Sequence, residues 1–310
     1  MPTPRSDTAG LGVVLYLAGV ALFALNDALG KWLVADYGVG QLMLLRSIGA
    51  GVVLAPIILS MRVKLIDPRR PGLQVARVLC AAADTFAFYY ATRYMPLADV
   101  MTFYMATPLI VTALSAPLLG EKVERFRWIA VLIGFIGVLI ALRPSAHMLS
   151  WVAPIALFGA TTFALSQTIT RDLRGIHWLP LVLWQFVGTG LVGAATIPWA
   201  WTTPSFFDLG LMFLVGVVAM ICIICIVRAL GFARAAVLAP LQYSGLLWAA
   251  ILGWLIWRDV PTLPIVIGNA IIIGSGLYVA ARGKMIGKAV VTRTARRSNR
   301  LREPQNATHG

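Results

Sequence analysis

Four ionisable residues lie inside stretches of sequence that are otherwise apolar: Asp27, Arg46, Asp84 and Asp99. Asp84 is the most isolated, near the middle of the segment VLCAAADTFAFYYATRY at residues 78–94. A charged group at the centre of a bilayer costs about 3 kcal/mol or more, so it normally faces a partner or a wet cavity. Asp84 therefore either binds a solute or a coupling proton, or only hydrogen-bonds a neighbouring helix.

Arg46 and Asp27 are expected at similar depth, each a few residues from the same end of its apolar segment. Because a guanidinium cannot deprotonate to escape burial, Arg46 needs a partner, and pairing with Asp27 would lower the cost for both. The pair is either purely structural or part of an outer gate or an anion site. By position, Arg46 is the one basic residue that we expect inside the apolar segments.

Uncharged polar residues extend this candidate site into both halves of the sequence. Single residues of this kind usually form interhelical hydrogen bonds worth about 0.6 kcal/mol. Occurring at matching depths, they better suit a central cavity, and deep aromatic side chains such as Tyr89 and Tyr104 could stack on a planar solute. The further candidates are Asn26, Gln167, Gln185, Gln242 and Tyr243.

The elements that position these residues must be membrane helices. Of the 310 residues, 59% are hydrophobic and only 12% are charged, and the mean hydropathy is +0.84. Since backbone groups in lipid must be hydrogen-bonded internally, an all-α polytopic membrane protein is expected. The sequence predicts ten transmembrane helices, at 11–33, 41–60, 74–94, 97–118, 127–142, 151–170, 179–199, 208–227, 234–256 and 262–281.

The distribution of Lys and Arg predicts the orientation. With both termini in the cytoplasm, the outer connections hold only Lys31, Arg93, Arg143 and Arg258 out of 26 basic residues. The positive-inside rule favours this arrangement. The basic tail at 283–310 then rests on anionic lipid, which explains the net charge of +14 better than nucleic-acid binding does. Residues 1–10 are expected to form a cytoplasmic N-terminus. A signal peptide at Leu11 to Leu25 is disfavoured because no small-x-small cleavage site follows and the apolar stretch continues to Leu33.

An internal repeat divides the ten predicted helices into five and five. LFALNDALGKWL at 22–33 is echoed by TFALSQTITRDL at 162–173, and LMLLRSIGAGVV at 42–53 by LVLWQFVGTGLV at 181–192. Five is odd, so the second half would enter the membrane in the opposite sense. The predicted organisation is an inverted-topology repeat of residues 11–143 and 144–282, which places a solute site between the halves.

The sequence resembles the EamA-type transporters of the drug/metabolite transporter superfamily. The resemblance rests on Arg46 in LMLLRS, the block MPLADVMTFYMATPLIVTALSAPLLGEKV at 95–123, and LLWAAILGWLIWRDVP at 246–261. It implies a carrier with a ten-helix fold. One departure is Trp257-Arg258-Asp259, where the family usually has glycine followed by glutamate, so the resemblance assigns no role to that loop.

The function indicated is a secondary transporter in a bacterial inner membrane that moves a small organic solute. The segment FYYATRYMPLADVMTFYMATPLIV at 88–111 looks closest to riboflavin-uptake members. Because the spans offer many aromatic residues and only Arg46 as an expected cation, a neutral or weakly charged planar substrate is expected, riboflavin first. The alternative is an exporter of amino acids or related metabolites. A membrane-embedded enzyme is disfavoured because His147, His177 and His309 are scattered. No cofactor or metal is expected, Cys222 and Cys225 being small buried side chains, and the protein is expected to be a monomer or homodimer.

Overall fold

A computed structural model describes residues 6–61, 65, 70–107, 109–111, 113–114, 125–142, 151–173, 176–232 and 238–278. The two chain ends, Pro108 and the Gly120-Glu121 motif lie outside the described residues. The described part is helical, with no strand. Its helices are α1 (Ser6–Asp36), α2 (Val39–Met61), α3 (Pro71–Tyr94), α4 (Leu97–Met105), α5 (Arg125–Leu142), α6 (Ala153–Asp172), α7 (Trp178–Ala200), α8 (Phe206–Phe232), α9 (Ser244–Trp257) and α10 (Leu263–Tyr278).

Four of these helices are long and apolar enough to cross a membrane by length and composition: α1, α2, α7 and α8. α4, α5, α9 and α10 contain shorter apolar helices. α3 has 24 residues, but it carries Arg77, Asp84 and Arg93, which lower its mean hydropathy. The multi-pass membrane character is thus supported, while the prediction of ten complete spans is met only in part.

Buried polar residues and exposed apolar ones are arranged as a lipid-facing bundle requires. Asn26, Asp27 and Arg77 are each less than 5% exposed, whereas large apolar side chains such as Leu132 and Leu191 are more than 60% exposed. Soluble monomers rarely expose extended apolar surface, so this surface matches hydrocarbon rather than water. The polar residues meet one another inside the bundle, where the candidate site lies.

Helices from the two predicted halves pack mainly against each other. α1 packs along α8, α3 along α6, and α2 along both α7 and α8. α3 also contacts α7, α9 lies against α1 and α4, and α4 touches α6. α2 and α7 approach at backbone distance, because a Cβ on Gly40 or Gly193 would overlap the other helix. This close contact is what places α1 to α4 around a common centre.

Polar contacts tie the helix ends together at each end of the bundle. Where α1 ends and α2 begins, here termed the α1–α2 end, the Tyr37 hydroxyl donates to Asp208 at 2.8 Å and Gln41 donates to the Thr202 carbonyl at 2.7 Å. At the opposite end, Arg70 pairs with Asp172 and joins the start of α3 to the end of α6. Each contact joins helix ends that an antiparallel bundle brings to the same side.

The end of α9 explains the departure at Arg258. Arg258 has a left-handed backbone with φ of 62°, and its N–H donates to the Trp254 carbonyl at 3.1 Å. The Asp259 N–H then reaches back to the Gly253 carbonyl at 3.2 Å. This is the C-terminal cap in which glycine is favoured, because it has no Cβ. Arg258 thus adopts, under strain, a backbone conformation that glycine adopts readily.

Candidate functional site

The predicted site residues of the first half lie close together inside the bundle. Arg46 on α2 donates from Nη1 to the Tyr89 hydroxyl at 2.9 Å. Tyr104 on α4 donates its hydroxyl to Asp84 Oδ1 on α3 at 2.7 Å. Asp27 on α1 is 4% exposed, and its carboxylate interacts electrostatically with both Arg46 and Asp84. We call Asp27, Arg46, Asp84, Tyr89 and Tyr104 the central cluster.

Aromatic packing fixes the two tyrosines of the central cluster. Phe88 makes edge contacts with the rings of Tyr89 and Tyr104, at centroid distances of 5.4 Å and 5.2 Å. Tyr104 also meets Phe163 of α6 at 5.9 Å. Gly30 on α1 leaves room for the Tyr89 ring, which a Cβ there would overlap. The hydroxyls that hold Arg46 and Asp84 are therefore held by rigid, buried rings.

Two polar atoms of the central cluster have no hydrogen-bond partner within the described part of the chain: Asp27 Oδ2 and Arg46 Nε. Leaving such a buried group unsatisfied costs about 1–3 kcal/mol, and more when it is charged. The site thus offers one acceptor and one donor of opposite charge to a polar solute, beside aromatic rings.

The expected ion pair between Arg46 and Asp27 is not formed. The two charges act on each other, but the guanidinium donates to Tyr89 and also lies over its ring, with Cζ 5.3 Å from the centroid. The neighbouring residue Asn26 donates instead to the Val215 carbonyl of α8. Sequence depth therefore identified which residues come together, but not which contact each would choose.

The candidates of the second half lie elsewhere. Gln185 on α7 accepts from Arg77 Nη1 at 3.3 Å, and Gln167 is exposed on α6. Gln242 and Tyr243 are half-buried in a 3-10 turn before α9, and the Tyr243 hydroxyl packs on Gly276. No hydrogen bond among the described residues joins these four to the central cluster. Their participation in one solute site with Asp84, as the repeat predicts, therefore stays a prediction.

Two buried basic residues were missed by the sequence analysis, which expected only Arg46 inside the helices. Arg77 is 2% exposed within α3 and donates to the Leu181 carbonyl as well as to Gln185. Lys31 lies in α1 and contacts Asp259, with 11% of its side chain exposed. Both had been counted with the connections, although Lys31 lies within the predicted span 11–33 and Arg77 within the predicted span 74–94. The argument for a substrate without negative charge is weakened accordingly.

An apolar crevice of about 370 Å³ is lined by none of the central-cluster residues. It lies between α3, α6 and α7, and its α3 wall, Ala83 and Ala87, flanks Asp84 in sequence. Among the described residues that line the crevice, Thr196 is the one with a polar side chain. Within the described residues, no three His, Cys, Asp or Glu side chains lie close enough together to hold a metal ion.

Comparison with known proteins points to transport. Residues 10–143 match the model of the EamA-like transporter family. The chain is 23% identical to an S-adenosylmethionine uptake transporter of Rickettsia prowazekii, covering 86% of this chain and 92% of that protein. It is 26% identical to a pseudopaline exporter of Pseudomonas aeruginosa, covering 86% and 95%. A riboflavin transporter of Rhizobium johnstonii is 27% identical and covers 67% of this chain and 70% of its own.

A solved structure supports the fold. A crystal structure that is 17% identical in sequence superposes with a TM-score of 0.62, covering 90% of this chain and 99% of that one. At this identity the likeness concerns the fold alone. It extends the similarity well beyond residues 10–143 into the second half of the chain.

Proposed function

We propose that the protein is a secondary transporter of a bacterial inner membrane, starting from the match of residues 10–143 to the model of the EamA-like transporter family. It moves a small organic solute through the space between two five-helix repeats, at 11–143 and 144–282. The observation that carries the proposal is the central cluster, which combines opposite charges, two tyrosine hydroxyls and unsatisfied polar atoms inside an apolar bundle.

The helix contacts support the repeat. In the proposed repeat, α1 corresponds to α6, α2 to α7, α3 to α8 and α4 to α9. Under this correspondence the α1–α8 contact becomes the α6–α3 contact, and the α2–α8 contact becomes the α7–α3 contact. The α1–α9 contact becomes the α6–α4 contact, while the α2–α7 and α4–α9 contacts map onto themselves. Such a pattern is expected of two units related by a pseudo-two-fold axis, the organisation that lets secondary transporters alternate access.

Both termini are proposed to lie in the cytoplasm, so that the α1–α2 end faces outward. The distribution of basic residues supports this orientation. In this orientation, the helix ends that the Arg70–Asp172 contact joins both lie on the inner side. Reporter fusions after residue 282 and within 143–150 should therefore report opposite sides of the membrane. Reporting of the same side by both fusions would contradict the proposed topology.

The central cluster favours a solute with both a cationic and an anionic group attached to a planar ring. Asp27 and Asp84 would accept from the cationic group, Arg46 would donate to the anionic one, and Tyr89 and Tyr104 would line the ring. Amino-acid-derived metabolites have this chemistry, and the names of the Rickettsia and Pseudomonas relatives agree with it. Riboflavin is the second candidate, supported by the aromatic lining and by the Rhizobium relative.

Uptake into proteoliposomes that contain the purified chain tests this function. Radiolabelled S-adenosylmethionine and riboflavin serve as probes, each with and without excess unlabelled probe inside. We expect exchange of one probe above that of protein-free liposomes, and at least about tenfold slower exchange by Tyr104→Phe, because the hydroxyl that positions Asp84 is lost. Tyr94→Phe, which removes the hydroxyl of an exposed tyrosine at the end of α3, is the matched control. Equal exchange by Tyr104→Phe and the unaltered chain would contradict the site; exchange of neither probe would exclude both as substrates.

A further inference from the structure

A second charged group, separate from the central cluster, joins the two halves at the α1–α2 end. Lys31 Nζ lies 3.4 Å from Asp259 Oδ2 and donates to the Met95 carbonyl at 3.2 Å. The same ammonium lies 4.6 Å from the centre of the Trp257 ring. Lys31 of α1 therefore contacts both the connection between α3 and α4, at Met95, and the end of α9, at Trp257 and Asp259.

Lys31 is held in a way that exposed ion pairs are not. Only 11% of its side chain is exposed, against 33% for Asp259, so salt and water screen the interaction less than at an open surface. The Trp257 ring adds a cation–π contact on a second side. Breaking these contacts without replacement would leave an ammonium in a poorly solvated position.

Asp99 offers such a replacement. It is 8% exposed in the first turn of α4, and it interacts electrostatically with both Lys31 and Asp259. Lys31 and Asp99 both belong to the first half of the chain, whereas Asp259 belongs to the second. If the halves separated at this end, the ammonium would keep one carboxylate and lose the other.

Asp259 is firmly attached to α9. Its N–H donates to the Gly253 carbonyl, and Arg258 closes the cap that precedes it. A movement of α9 therefore carries Asp259 and Trp257 with it. The Lys31 contact consequently reports the distance between the two halves, not the mobility of a loop.

We infer that Lys31, Asp259 and Trp257 form the outer gate of the transport path. In the closed state the ammonium bridges the halves; in the open state it stays with Asp99 while Asp259 and Trp257 move away with α9. The inference rests on the proposed function, since a gate requires a path, but it concerns residues outside the solute site.

Accessibility of the central cluster from outside tests the gate without any knowledge of the solute. The three native cysteines, Cys80, Cys222 and Cys225, are replaced by alanine, and Asp84→Cys provides one thiol in the proposed path. A membrane-impermeant methanethiosulfonate reagent is applied to right-side-out and, separately, to inside-out membrane vesicles. The modification rate of this thiol is measured with Lys31 intact and in Lys31→Gln.

We expect Lys31→Gln to raise the modification rate from outside by about tenfold. Without the Lys31–Asp259 contact the closed state is less stable, so the open state is populated more often. Asp259→Asn should act in the same direction, and it serves as the second variant if Lys31→Gln fails to fold. Arg70→Gln, which breaks the ion pair at the opposite end, is the matched control and should not raise the outside rate.

Two outcomes separate failure of the gate from failure of the proposed function. The first is a thiol that is modified from inside at the same rate in all variants, and from outside no faster in Lys31→Gln or Asp259→Asn than with both residues intact. This result would overturn the gate and leave the path standing. A thiol modified from neither side in any variant would contradict the proposed path itself, and the gate would fall with it.

Discussion

Asp84→Asn is expected to reduce transport at least about a hundredfold while the protein still folds and inserts normally. The amide has the size of the carboxylate, and its oxygen can still accept the hydrogen bond from the Tyr104 hydroxyl, which spans 2.7 Å. What is lost is the negative charge and the capacity to carry a proton. Exchange of the transported probe in proteoliposomes, at equal amounts of inserted protein, measures the effect.

Asp36→Asn is the matched control for this prediction, because Asp36 is an exposed carboxylate at the end of α1. It should transport at the rate of the unaltered chain. Normal transport by correctly inserted Asp84→Asn protein would show that the Asp84 carboxylate serves only to bind Tyr104. Asp84 would then be a structural residue, and the solute contacts would have to be sought elsewhere in the bundle.

Gly49→Ala is expected to prevent most of the protein from folding. A Cβ at Gly49 would overlap the backbone of Phe213 on α8, and a backbone cannot rotate aside as a side chain can. α2 and α8 would have to separate, and overpacking of this kind costs typically about 1–3 kcal/mol or more. Recovery of monodisperse protein from detergent extracts, with its thermal unfolding temperature, measures the loss.

Gly51→Ala provides the control two residues further along the same helix. No atom outside its own helix lies within 4 Å of a Cβ built at Gly51. Alanine is favoured over glycine inside a helix by about 0.5–1 kcal/mol, so this variant should be at least as stable as the unaltered chain. Similar losses for both variants would mean that α2 and α8 do not approach as closely as the structure shows.

The helices could be predicted from sequence because each apolar run is long and its boundaries carry charge or proline. The run predicted at 179–199 became α7, Trp178–Ala200, and that at 127–142 became α5, Arg125–Leu142. In the run predicted at 234–256, residues 234–237 lie outside the described part; Ala239–Tyr243 form a 3-10 turn, and α9 starts at Ser244. Pro240 explains the difference, since it cannot donate in a continuous helix.

The candidate site was predictable only in its charged members. Asp84 stands out because a single acid interrupts an apolar segment, and its burial cost makes it conspicuous in any sequence. Its partner Tyr104 could not be identified, because a tyrosine twenty positions away looks like any other packing residue until α3 and α4 are placed side by side. The loop containing Asp259 received no role at all, since its importance arises from Lys31, which is far away in sequence.

Lys31 and Arg77 were misplaced for a physical reason. Long basic side chains can extend toward a polar region while their backbone lies well inside a helix, so charge alone is a poor marker of a helix end. In the structure both ammonium and guanidinium groups point instead at internal carbonyls, those of Met95 and Leu181. Only the packing of neighbouring helices reveals that choice.

Two backbone contacts hold the first half of α2, that of Gly40 with Gly193 of α7 and that of Gly49 with Phe213 of α8. A tilt of α2 against both neighbours can therefore act freely only beyond Gly49. From there to Met61 the helix extends about 18 Å, so a tilt of about 5° would move its proposed cytoplasmic end by about 1.6 Å. The outer part of α2 is thus expected to move together with α7 and α8.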